Sequence, residues 1–179
     1  MNDDATLAHR LAATAANTAH AGLDAELRAQ TAQRVTDALG NALGAAHLPV
    51  VDQMRTLIDG WGGHPQSSIV DGAATSAPNA ALLNGTMAHA LDFDDTHLPS
   101  VLHPSASVVP AALAAAELAD STGPQLLDAI AMGVEVTCRL GMAGYDTELR
   151  QLGTYFENGL HATSITGTIG ISGGRGGCC

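Results

Sequence analysis

With 179 residues, 46% hydrophobic and only 3% aromatic, the chain is sized for one domain with a core of Ala, Leu, Val and Ile. Its net charge of −11 denies it the basic footprint that nucleic acid or an anionic membrane requires. All seven basic residues are arginine, so these residues offer no lysine for Schiff-base or general-base chemistry. Ala is the strongest helix former, and the composition predicts an all-α fold. The cysteines, Cys138, Cys178 and Cys179, have no disulfide-framework spacing. The start, MNDDATLAHR, lacks an apolar leader core, and no apolar run reaches the roughly 18–20 residues of a membrane span. A soluble cytoplasmic protein is the expectation.

In chain order, residues 1–22 are Ala/Thr-rich with a weak helical pattern, and a loosely ordered segment is expected. A firmer helix is predicted from Asp24 to Ala46, with Val35, Ala38, Leu39, Ala42, Leu43 and Ala46 on one apolar stripe. Pro49 interrupts it, and a shorter helix from Val50 to Gly60 turns Val51, Met54, Leu57 and Ile58 inward. Trp61-Gly-Gly with His64 reads as a turn with an aromatic anchor, and Ser67 to Asp71 as a short extended piece. Pro78 suits the first turn of a helix running to Leu91, Pro104 opens another through VVPAALAAAELA, and Gln125 to Met142 is the most apolar helix. Glu135 and Arg139 stand four apart on it, as a partly buried ion pair. GTIG at Gly167–Gly170 is too short for a nucleotide-binding loop. About six helices packed around one core are expected.

Chemistry concentrates between Asn84 and Ser105, in NGTMAHALDFDDTHLPSVLHPS. His89, His97 and His103 lie there with Asp92, Asp94 and Asp95, in an otherwise apolar neighbourhood. Imidazoles titrate near neutrality, so the group suits proton transfer. Asp92 and Asp95 can orient or charge-stabilise an imidazole, and Thr96 can donate to a carboxylate oxygen. His103, just before Pro104, falls at a helix N-terminus, where backbone N–H groups and the dipole favour an anion. His161, in NGLHATS, can be brought opposite. A rival use is a metal-dependent hydrolase built on His89, Asp92, Asp95 and His97, although no zinc-site spacing is present.

The run NGTMAHALDFDDTHLPSVLHPS, then LLDAIAMGVEVTCRLG and GLHATSITGTIG, resembles the MmgE/PrpD family from about Leu23 to Gly170. The family includes 2-methylcitrate dehydratase and cis-aconitate decarboxylase, lyases acting on small polycarboxylates, with related epimerases. The resemblance implies that Asp92, Thr96, His103 and His161 line the active site. It further implies an all-helical domain, a homodimer when full-length, a role such as propionate catabolism, and chemistry with no metal or other cofactor.

Two departures from the family pattern carry expectations of their own. Family members are longer, and their α/β lid domain with its active-site lysines has no counterpart in these residues. ISGGRGGCC, residues 171–179, replaces the Ala-rich continuation of a family helix, so an aberrant tail and a truncated, inactive fragment with exposed apolar surface are expected.

Overall fold

The computed structural model describes residues 6–144, 155 and 157–174. Among them are seven helices: α1 (Leu7–Ala21), α2 (Ala25–Ala45), α3 (Pro49–Trp61), α4 (Ala77–His89), α5 (Pro104–Leu118), α6 (Gly123–Ala143) and α7 (Ala162–Gly174). The all-α expectation holds. The one sheet among the described residues is a two-stranded antiparallel ribbon, β1 (Ser67–Ser68) with β2 (Ala74–Thr75). The sequence marked β1 but not its partner, because two residues carry no alternation to read.

Local signals set the helix ends. Asp24 caps α2 by accepting the Leu27 N–H at 2.8 Å. Thr122 and Gln125 form a reciprocal capping box at the start of α6. Pro49, Pro78 and Pro104 stand in the first turns of α3, α4 and α5, where a missing N–H costs nothing. Gly62 ends α3 at φ 66°, a conformation that an L side chain resists.

Two cores organise the bundle. One gathers Ala42 and Ala45 of α2, Val51 and Ile58 of α3, Ile69, and Leu83 and Met87 of α4. The other joins Ala38, Val108, Val109, Ala112 and Ile130 from α2, α5 and α6. Small residues let the helices approach closely. At the α6–α7 crossing a Cβ added to Gly170 would stand 2.8 Å from the Gly133 carbonyl oxygen.

Burial departs from the sequence expectation at particular side chains. Leu43 and Leu57 are exposed, as are Val50 and Leu82. Trp61 is 58% exposed and anchors nothing in the core. The Glu135–Arg139 pair forms, but both side chains face solvent. Gly167 and Gly170 sit inside α7, not in a loop. That helix runs through Ile171 to Gly174, the first residues of the expected aberrant tail; residues 175–179 lie outside the described set. No helix among the described residues is long and apolar enough to cross a membrane.

Cys138, on α6, is buried, and burial pushes its thiol pKa up. Arg34 opposes the rise and Glu135 adds to it. Little thiolate is then available near neutrality, so thiol reagents should modify Cys138 slowly in the native chain and rapidly in urea, read site by site by mass spectrometry. A raised folded-state pKa favours the native state below the unfolded thiol value, about 8.5, and that contribution fades as pH rises through the folded value.

Candidate active site

The site is built from the end of α4, the loop that follows and the N-terminal ends of α5 and α7. The last turn of α4 closes with the Asp92 N–H donating to the His89 carbonyl at 2.9 Å, leaving Asp92 at φ 55°. Asp tolerates this left-handed conformation better than most residues. Val101, at φ 50°, does not, and marks real strain in the loop.

Three attachments hold that strain. His97 and Leu102 exchange backbone hydrogen bonds, the His97 N–H reaching the Leu102 carbonyl at 2.8 Å. Leu102 and Ser100, fully buried, pack where Gly141 of α6 has no side chain; a Cβ there would meet the Ser100 Cβ at 2.8 Å. Asp95 accepts the Ser105 N–H at 3.0 Å and pairs with Arg34 of α2, whose guanidinium also lies 3.4 Å from the Ser105 hydroxyl. Asp95 therefore caps α5 and ties the loop to α2, a structural duty, and does not orient an imidazole as its sequence position suggested. Replacing Asp95 with Ala should cost about 1–3 kcal/mol of stability, as a lost cap and a stranded partner imply, read as a lower thermal midpoint.

Asp94, not Asp95, sits against the imidazoles. Its side chain is 1% exposed, with both oxygens on Nδ1 of His89, at 3.0 and 3.1 Å. His103 stands on its other side, Nδ1 3.7 Å from Asp94, too far for a hydrogen bond. That nitrogen is buried without a hydrogen-bond partner. The His89 and His103 rings lie 5.3 Å apart between centroids. Asp92 faces His103 Nε2 across 3.9 Å from a side chain 80% exposed. Thr96 is exposed on the same loop.

His161 immediately precedes α7, its Nδ1 3.0 Å from the Ser164 hydroxyl. It shares with His89 a groove of about 760 Å³ between α4, α5 and α7, lined also by Leu82, Thr86, Ser107 and Gly167. That volume suits a small-molecule ligand. Of the four residues singled out in the sequence, Asp92 and His103 come together, His161 faces the groove, and Thr96 stays on the loop surface. His89 and Asp94 were visible only as members of the cluster. Their pairing depends on the turn after α4, which no spacing rule signals.

The profile of the MmgE/PrpD N-terminal domain matches residues 9–176. The chain belongs to the MmgE/PrpD family. The match is wider than Leu23 to Gly170 at both ends, taking in most of α1 and all of α7. A cis-aconitate decarboxylase-like protein, oryM, of Aspergillus oryzae is 28% identical over 148 residues, covering 76% of this chain and 31% of that protein. The cis-aconitate decarboxylases of Mus musculus and Homo sapiens are 36% and 37% identical over 95 residues, 51% of this chain and 18% of each relative. The chain thus aligns with less than a third of the length of these relatives.

Proposed function

We propose that these residues form one wall of a lyase site for a small polycarboxylate, removing or adding a proton α to a carboxylate as water or carbon dioxide is lost. The observation that carries this reading is the groove, which has His89 and His161, from separate helix ends, on a ligand-sized space in a chain of this family, with His103 behind His89 at 5.3 Å between ring centroids. His103 and His161 are the sequence-derived candidates for proton transfer. Asp92 lies beside His103 Nε2 to orient or charge-stabilise it. Thr96, exposed on the loop, is the candidate donor to a substrate carboxylate. The kinship to cis-aconitate decarboxylases favours decarboxylation over dehydration of 2-methylcitrate or epimerisation. A full-length cytoplasmic homodimer acting without cofactor, and without nucleic-acid or membrane partners, completes the proposal.

The test is a version of the chain carried to the full length of its relatives, incubated with cis-aconitate and, separately, 2-methylcitrate in D₂O. Carbon dioxide release from cis-aconitate, with deuterium at the reacting carbon of the product, is expected. No product from either acid would end the lyase reading.

A metal-dependent reading draws on one further observation. Among the described residues, ligand atoms of His89, Asp92, Asp94 and His103 lie within 4.8 Å of one another. The set differs from that expected from sequence: Asp95 is committed to Arg34, and His97 Nδ1 faces the Ser100 hydroxyl. Elemental analysis finding a stoichiometric divalent ion, with activity lost on chelation, would favour this use over metal-free proton transfer.

A further inference from the structure

Two sets of hydrogen bonds around the groove bear on where its protons sit. Asp94 presents both carboxylate oxygens to Nδ1 of His89. An ionised carboxylate only accepts, so that nitrogen carries the proton. When that ring is neutral it keeps a bare Nε2, on a side chain 48% exposed at the groove wall. At His161 the order is reversed. The backbone N–H of Ser164 points at Nδ1 from 3.4 Å and the Ser164 hydroxyl lies 3.0 Å from it; with both donating, Nδ1 holds the lone pair and the proton sits on Nε2. One groove therefore has one imidazole prepared to accept a proton and another prepared to give one.

We propose that His89 and His161 are a complementary proton-transfer pair across this groove, His89 the acceptor and His161 the donor, with Asp94 the residue that positions His89. The pairing rests on the lyase reading and adds His89 and Asp94 to the four residues taken from the sequence. His103 stands on the other side of Asp94, its Nδ1 3.7 Å from the carboxylate and not hydrogen-bonded to it.

The steps balance. Nε2 of His89 takes the proton from a carbon beside a substrate carboxylate, and the C–H electron pair stays on that carbon. The imidazolium formed is compensated by Asp94. In a dehydration the pair then becomes the new double bond, the C–O bond breaks with its electrons, and Nε2–H of His161 protonates the departing oxygen to give water. In a decarboxylation no C–H bond breaks first. The C–C bond to the carboxylate breaks, carbon dioxide leaves, and the electron pair of that bond stays on the substrate carbon. Nε2–H of His161 protonates the carbon that takes the pair, so His89 removes no proton in that branch.

Tautomers are read directly from long-range ¹H–¹⁵N correlations of the imidazoles, at a pH where the rings are neutral. Free histidine favours the Nε2–H form in water, so His89 is the discriminating residue. We expect Nδ1–H at His89 and Nε2–H at His161 in residues 1–179, and expect Asp94→Ala to release only the first. Nε2–H at both rings in the unaltered chain would overturn the pair. In the extended version, His89→Gln should lower dehydration of 2-methylcitrate about 10²-fold or more, the usual range for general acid–base groups, with little change in KM. An unchanged rate would equally overturn it. Should the extended version turn over neither acid, the lyase reading fails, while the tautomers still decide the pairing.

Discussion

Replacing His103 with alanine in a full-length, active version should lower turnover about 10²–10⁴-fold, the size of a general acid–base contribution. That loss corresponds to roughly 3–5 kcal/mol of transition-state stabilisation. The fold should tolerate the change. His103 precedes α5 but makes no side-chain cap bond, and its Nδ1 has no hydrogen-bond partner to strand. The α5 terminus is held instead by Asp95 on the Ser105 N–H and by Pro104. Removing the imidazole should therefore leave the thermal midpoint close to that of the parent while kcat falls. Circular dichroism and steady-state kinetics on the same preparation separate the two effects. A two- or three-fold loss, or a loss that follows the melting temperature, would reduce His103 to a structural residue. His89→Gln combined with His103→Ala should cost little more than the worse single change if both belong to one unit around Asp94.

Much of this was legible in the chain because helices announce themselves. Prolines in first turns and Asp24 before α2 place most helix starts within a residue or two, while the Thr122–Gln125 box that starts α6 went unread. The cluster itself stood out by density. Which aspartate meets which imidazole was not legible, because Asp92, Asp94 and Asp95 lie within one loop whose direction is set by two left-handed residues. A glycine would have signalled such backbone, and neither Asp92 nor Val101 is one. Arg34 reaching Asp95 was equally hidden: sixty-one residues separate them, and only the packing of α2 beside α4 brings them together. Leu43 and Leu57 fit the helical period yet face outward, since periodicity ranks faces but cannot say how wide the buried stripe will be.

Residues 1–179 taken alone should show no turnover of cis-aconitate or 2-methylcitrate above buffer, even where the extended version is active. Both substrates are polyanions, and holding one in near-attack geometry calls for positive charge in a site that excludes water. Among the described residues that line it, the groove offers histidines but no arginine, in a chain of net charge −11 without lysine. Four arginines are already committed: Arg28 to Asp128, Arg34 to Asp95, Arg55 to Asp71 and Arg139 to Glu135. Arg10 lies along a separate cleft between α1 and α6. Capturing Arg34 for a substrate would break the tie that fixes the loop bearing Asp92 and Asp94, so that cation cannot serve both duties. The assay is continuous monitoring of purified 1–179 with each acid, beside the extended version and a His103→Ala control. Sustained product formation by 1–179 that disappears with His103→Ala would show that the helical wall suffices and that imidazolium groups alone supply the positive pole.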